Sequence, residues 1–318
     1  MSFVSALTSA ILPVLLVAGV GFVLGRIREV QVDALGTVAV YVLTPCLVFY
    51  SLATTSLGSG AVAKIGAGVF GYVAVMTVVS SVAARGLGVD EPHRGAFVLS
   101  STFPNAGNYG IPLARFAFGP IGQSVAVLYI VAQDVLQYTL GVFLAARGGE
   151  TDLRDSLTQV FRLPLLYGLL AAGLARYLDV VPATDTALMQ TVRLVGDAAI
   201  PVMLLMLGIQ LANTRSGPSV SRAGVPTALK LGVAPLVALV LALALGFADR
   251  DVARVFVLEC AMPAAVTPLV LTIEFSGDAG TSFSAPEYVS TVIFTTTVCS
   301  VATLAVLIWA LGAGLLWI

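Results

Sequence analysis

Residues Ser100-Ser101-Thr102-Phe103-Pro104-Asn105-Ala106-Gly107-Asn108-Tyr109-Gly110-Ile111-Pro112 lie in the middle of an apolar stretch long enough to cross a bilayer. A regular helix cannot run through them, because each proline lacks an N–H and its ring clashes with the preceding turn. The chain is therefore expected to break at membrane depth. Broken backbone is tolerated there only where it is buried in protein or lines a polar cavity. A second stretch, Glu259-Cys260-Ala261-Met262-Pro263-Ala264-Ala265-Val266-Thr267-Pro268, carries two prolines in the same way. Pro104 and Pro112 in the first, and Pro263 and Pro268 in the second, are the expected helix breaks.

The chain around these stretches is equally apolar. Of its 318 residues 58% are hydrophobic and 10% charged, against roughly 45–50% and about 25% in soluble domains. Apolar runs recur along its whole length, each near the ~20 residues a helix needs to cross a ~30 Å hydrocarbon core. The expected fold is an all-α integral membrane protein of about ten transmembrane helices. The spans fall at about 5–25, 33–53, 61–84, 95–119 and 123–146, then at 163–178, 191–212, 224–247, 253–275 and 288–311. No basic residue precedes the first span, which reads as a retained helix and not a cleaved signal peptide. A net charge of −1 without a basic cluster excludes a nucleic-acid partner and leaves the lipid bilayer as the medium. Cys46, Cys260 and Cys299 lie in apolar runs without metal-ligand spacing and read as small core residues.

The two halves repeat one another in order. Pro13 opens the first span as Pro164 opens the sixth, Pro45 matches Pro201, and Phe97-Val98-Leu99 precedes Pro104 as Phe256-Val257-Leu258 precedes Pro263. The offsets, 151, 156 and 159 residues, are close to half the chain. Residues 1–146 then form one five-helix repeat, 147–162 a polar linker, and 163–318 the second repeat. An odd number of spans per half makes the repeat inverted, an arrangement from which many secondary transporters build two states open to opposite sides. Ten Lys and Arg residues (Arg26, Arg28, Arg85, Arg94, Arg147, Arg154, Arg162, Arg215, Arg222 and Lys230) fall on one side and six on the other. The positive-inside rule then puts the linker in the cytoplasm and both termini outside.

Two breaks at equivalent places in inverted halves point to a site at the midplane. Half-helix N-termini there suit a carboxylate, and half-helix C-termini suit a cation. Asn105, Asn108, Gln133 and Thr267 are the candidate substrate ligands. Asp134 is an acid in mid-helix, which costs about 2.5–3.5 kcal/mol on insertion scales and is functional by default. Pro263 leaves the carbonyl of Glu259 without its helical donor, as Pro104 does that of Ser100. Glu259, Asp134 and Ser100 are thus the candidate ion-coupling residues, with sodium or a proton as the ion and no other metal or cofactor expected. Gln137 is a weaker candidate for the same pocket, and Pro45 and Pro201 read as structural kinks. Asp197 is expected to pair with Arg193, one turn away. His93 reads as a solvated loop residue, and Trp309 and Trp317 as interfacial anchors.

The run Phe103-Pro104-Asn105-Ala106-Gly107-Asn108-Tyr109-Gly110-Ile111-Pro112-Leu113, the Ala199-Ile200-Pro201 and Leu207-Gly208 pair, and Ala261-Met262-Pro263-Ala264-Ala265-Val266 together resemble the auxin efflux carrier family. The resemblance covers nearly the whole chain in order. It implies a ten-helix fold of two inverted five-helix repeats, with a scaffold part and a transport part in which the broken fourth and ninth helices cross. It implies homodimers and organic-anion substrates as well. A more distant resemblance is to the bile-acid sodium symporters, whose broken ninth helix has a sodium-binding glutamate followed three residues later by methionine, the spacing of Glu259 and Met262.

The function expected is a secondary transporter of a small organic anion working by alternating access. The rival is an intramembrane hydrolase using Asp134 and Glu259 as paired acids, but there is no HExxH or GxSxG motif. A channel needs polar rings along its length, whereas here the polar residues gather at one depth.

Overall fold

In the computed structural model, residues 3–90, 93–146, 160–214, 223–275, 284–316 and 318 are described. The linker residues 147–159 and Trp317 lie outside them. Among the described residues there is no strand, only one isolated antiparallel bridge. Seven helices are long and apolar enough to cross a membrane. They are α1 (Phe3–Ile27), α2 (Val32–Ala53), α3 (Ser59–Gly86), α5 (Ala106–Ala145), α7 (Ala187–Asn213), α8 (Gly224–Leu245) and α11 (Ala285–Gly312). The rest are shorter: α4 (His93–Thr102), α6 (Pro164–Tyr177), α9 (Arg250–Cys260) and α10 (Thr267–Phe275). At 14 residues, α6 covers about 21 Å. The breaks explain why α4, α9 and α10 fall below a spanning length one by one. The 40 residues of α5 contain a kink at Gly119, whose φ of 66° lies in the left-handed region that Pro120 follows.

The prolines shape the helices in two ways. Four of the five π-helical turns among the described residues, Leu7–Ile11, Ala39–Leu43, Ala106–Gly110 and Leu229–Val233, are each followed two residues later by a proline, Pro13, Pro45, Pro112 and Pro235, whereas Gln137–Gly141 is not. A proline within a helix leaves a carbonyl unbonded and crowds it, and one extra residue in the preceding turn relieves the clash. Pro112 therefore does not break its helix, contrary to the sequence expectation. Its turn widens instead. Pro13 likewise lies well inside α1 and does not open it. Pro268 is the second residue of α10, where a missing N–H is harmless. Of the four expected breaks, only Pro104 and Pro263 lie in non-helical chain.

Two groups of helices result. In one, α1 packs on α7, and α2 packs on both α6 and α7. Close backbone approach holds it together: a Cβ on Gly21 would overlap the Leu205 carbonyl, and one on Gly208 the Ala18 carbonyl. Gly25 sits one turn further on, against Ile209 and Ala212. Small residues at this spacing let transmembrane helices meet at backbone distance. In the other group, α3 packs on α4, α5 and α8; α9 packs on α5 and α8; and α11 packs on α4 and α10.

Several side chains depart from expectation. His93 starts α4 half-buried, its ring 6.4 Å from that of Tyr288, and is no solvated loop residue. Cys299 is exposed on α11 and not in the core, whereas Cys260 is buried. Arg193 and Asp197 do pair, at 3.5 Å.

Gly208→Ala should lower the apparent melting temperature of the detergent-purified protein, since overpacking costs about 1–3 kcal/mol. Gly19→Ala on the same α1 helix, with nothing within 4 Å of its new Cβ, should leave it unchanged or raise it. Equal melting temperatures for the two variants would show that the Gly208 contact does not hold α1 to α7.

Candidate functional site

The two non-helical segments cross each other. Between α4 and α5 the chain runs through Phe103, Pro104 and Asn105, and between α9 and α10 through residues 261–266. Asn105 N–H donates to the Pro263 carbonyl at 2.7 Å, Ala265 N–H donates to the Phe103 carbonyl at 2.9 Å, and Pro104 pairs with Ala264 as an antiparallel bridge. Side chains supply further partners. Gln133 Nε2 donates to the Pro104 carbonyl at 3.0 Å, and Thr296 Oγ1 accepts the Ala264 N–H at 3.1 Å. The Asn105 carbonyl accepts from Gly110 N–H. Each of these backbone groups, cut off from a regular helix, has a partner inside the protein.

A cavity of about 180 Å³ opens beside the crossing. One wall is Pro104, Asn105, Gly107 and Asn108 at the start of α5, with Ala265, Val266 and Thr267 at the start of α10. A second wall is Gln133, Asp134, Gln137 and Tyr138, further along α5. Val40 and Thr44 of α2, Leu165 of α6 and Met203 of α7 close the opposite side, so the cavity lies between the two helix groups. Asn105 is 4% exposed, and its Nδ2 has no hydrogen-bond partner. Gln133 Oε1 and Gln137 Nε2 are also buried without partners. First-turn N–H groups at Gly107 and Asn108 have no acceptor within the helix they open. Such N–H groups and the helix dipole favour negative charge there.

Of the predicted residues, the cavity brings together Asn105, Asn108, Gln133, Asp134 and Thr267. Glu259 and Ser100 do not line it. Ser100 Oγ donates back to the carbonyls of Ala96 and Phe97 in its own helix. Glu259 is fully buried behind the crossing, and neither carboxyl oxygen has a partner. It lies so close to Gly110 that a Cβ there would overlap its carboxyl group. The main-chain carbonyl of Glu259, expected to be free, accepts from Met262 N–H at 3.2 Å. The last turn of α9 tightens, and the open carbonyl becomes that of Cys260.

That carbonyl is held by a residue the sequence reading counted among the charges of one membrane side. Lys230, fully buried on the π turn of α8, donates from Nζ to the Cys260 carbonyl at 2.9 Å and to Tyr72 Oη at 2.6 Å. Tyr72 of α3 donates its own O–H to the same carbonyl at 3.0 Å, and Nζ sits 5.2 Å from the center of its ring. The carboxyl end of a helix favours a cation. Lys230 thus does not flank the membrane, and it drops out of the count of ten that oriented the chain. Its sequence neighbours, Leu229, Leu231 and the later Pro235, were the signal that it sits within a span.

Apolar helices around two interrupted ones, which cross beside a cavity with polar side chains on two walls, define a multi-pass membrane protein. The chain matches the membrane transport protein family over residues 6–308, and it belongs to that family, the auxin efflux carriers. It is also 28% identical over 308 residues to a protein of Methanothermobacter thermautotrophicus described as an uncharacterized transporter, covering 93% of this chain and 96% of that one.

If Lys230 and Tyr72 act together on the Cys260 carbonyl, Tyr72→Phe should destabilise the protein less in a Lys230→Met background than in wild type. The expected coupling is about 1 kcal/mol, within the usual range for groups in one network. Strictly additive losses in detergent unfolding would show that the two side chains are independent.

Proposed function

We propose that this chain is a secondary transporter that moves a small organic anion, bound through its carboxylate, by alternating access. The observation that carries this reading is Asn105: a buried amide with a free Nδ2, beside unbonded helix N–H groups, on a cavity set between two helix groups. A carboxylate at that wall would receive donors that have no protein acceptor. Asn108, Gln133 and Thr267 complete the substrate contacts. The fold proposed is ten spans in two inverted five-helix repeats. It counts α4 with the first part of α5 as the fourth span, the rest of α5 as the fifth, and α9 with α10 as the ninth. The packing of α1 on α7 and of α2 on α6 is what an exchange of halves produces, because each first helix meets the second helix of the other half. The protein is proposed to be a homodimer with its termini outside and its central linker in the cytoplasm.

Coupling is assigned to Glu259, with a sodium ion or a proton as the coupled species. A buried carboxylate with no partner is costly as a bare anion, so one of these would neutralise it. Its place against Gly110, on the π-helical first turn of α5, links it to the cavity wall formed by Asn105 and Asn108. A hydrolase with Asp134 and Glu259 as paired acids is disfavoured, because Asp134 lines the cavity and Glu259 does not.

Asn105→Ala should weaken carboxylate binding by more than twofold in the purified, folded protein, with thermal shift or calorimetry as the readout. A change within twofold, well under 1 kcal/mol, places the anion elsewhere. In proteoliposomes, Glu259→Gln should abolish ion-driven accumulation while leaving some substrate exchange. Uptake by that variant with unchanged dependence on sodium and pH would remove Glu259 from coupling.

A further inference from the structure

The cavity holds one charged side chain among its described lining residues, and that side chain is an acid. Asp134 faces it together with Gln137 and Tyr138, one turn further along the same face of α5, and no Lys, Arg or His joins them. The Asp134 carboxyl group makes no hydrogen bond or ion pair with any described residue. The basic residue nearest in kind, Lys230, is committed to Tyr72 and the Cys260 carbonyl and does not line the cavity. An acid inside a membrane protein is expensive as a bare anion unless a proton or a group of opposite charge meets it.

The Asn105 wall has the reverse character. Asn105 Nδ2 is unpartnered and buried, and the N–H groups opening α5 lie beside it. That wall accepts a negative group. One small cavity therefore offers a donor wall at the start of α5 and, on the limb of α5 beyond the Gly119 kink, a carboxyl group that is an acceptor and carries negative charge when ionised. A simple dicarboxylate would meet donors at one end and like charge at the other, and like charges held close are disfavoured. A molecule with a carboxylate at one end and an ammonium at the other satisfies both.

We infer that the cargo is an aminocarboxylate, its carboxylate on the Asn105 wall and its protonated amine on Asp134. The inference rests on the reading of this cavity as the carboxylate site and narrows it. Gln137 and Tyr138 flank Asp134, so the amine has further acceptors in the Gln137 Oε1 and Tyr138 hydroxyl oxygens. No bond is made or broken; recognition is by charge and hydrogen bonds. Asp134 is a specificity-determining residue, separate from the coupling assigned to Glu259.

The test uses pairs of ligands that differ only by an α-amino group, alanine against propionate and aspartate against succinate, titrated into the full chain in lipid nanodiscs. In at least one pair, the amino member should bind the wild type tenfold or more tightly, which corresponds to about 1.4 kcal/mol. Asp134→Asn should bring that ratio near one by weakening the amino member alone. Equal or tighter binding of propionate and succinate in the wild type overturns the inference but leaves a carboxylate carrier standing. That outcome would fit an Asp134 that takes a proton. Preference for the amino member that survives both Asp134→Asn and Asp134→Ser also overturns it. The wild-type comparison decides the matter even if neither variant folds. If no member of either pair binds, both the inference and the carboxylate reading fail.

Discussion

Within the hydrocarbon core no water is at hand to satisfy a main-chain N–H or C=O, and each such group left bare costs several kcal/mol. Everything else in this structure follows from how the chain meets that constraint where Pro104 and Pro263 interrupt two helices. The answer is reciprocal. Each broken segment becomes the other's hydrogen-bond partner, through Asn105 to Pro263 and Ala265 to Phe103. Neither segment is satisfied alone, so the crossing ties the two halves of the chain together at one point. The residues around it are then fixed by what remains to be bonded: Gln133 on the Pro104 carbonyl, Thr296 on the Ala264 N–H.

The two breaks are alike in backbone but not in charge. At the end of α4 the hydroxyl of Ser100 folds back on its own helix, and the amide of Gln133 serves the crossing. At the end of α9 the equivalent place holds Glu259, and the next carbonyl is capped by Lys230 and Tyr72. The half carrying α9 has thus gathered one buried acid and one buried base at its break. Among the described residues the Lys230 ammonium has bonding partners and the Glu259 carboxyl group has none. This asymmetry is why coupling is placed behind the crossing and substrate in front of it.

Much of this was legible in the sequence, because proline chemistry does not depend on context: the breaks, the side of the break where amides gather, and the membrane setting all follow from residue types. Other features were not. Whether a proline breaks a helix or widens the turn before it depends on the room around that turn. Pro112 and Pro104 therefore look the same in sequence and behave differently. Lys230 was counted toward one side of the membrane although it falls inside the expected span 224–247, because a charge count registers sequence position and not depth. The carbonyl exposed by Pro263 shifted from Glu259 to Cys260 because the last turn of α9 tightened, a choice of one residue that only the three-dimensional packing makes. Asp134 was legible as an intramembrane acid, but the lack of a base among the described residues of its cavity was not, since the cavity draws its walls from α2, α5, α6, α7 and α10.

The placement of these bonds also bears on how alternating access would operate. Every bond that holds the crossing together, including those from Lys230, Tyr72, Gln133 and Thr296, joins helices of the group built from α3, α4, α5 and α8 to α11. The other group is held by backbone contact of α1 with α7 and of α2 with α6 and α7, where Gly21, Gly168, Gly196 and Gly208 leave no room for a side chain. Between the groups, the side-chain hydrogen bonds among the described residues converge on Ser51, which accepts from Gln123 at 2.7 Å and, through its carbonyl, from Ser124 at 3.2 Å. The cavity opens along that same boundary. A displacement of one group against the other would leave the crossing and its substrate wall intact, breaking only a small polar contact and sliding apolar surface. A bend within either group would have to strand main-chain groups in hydrocarbon, so the cheaper motion carries the crossing as a unit.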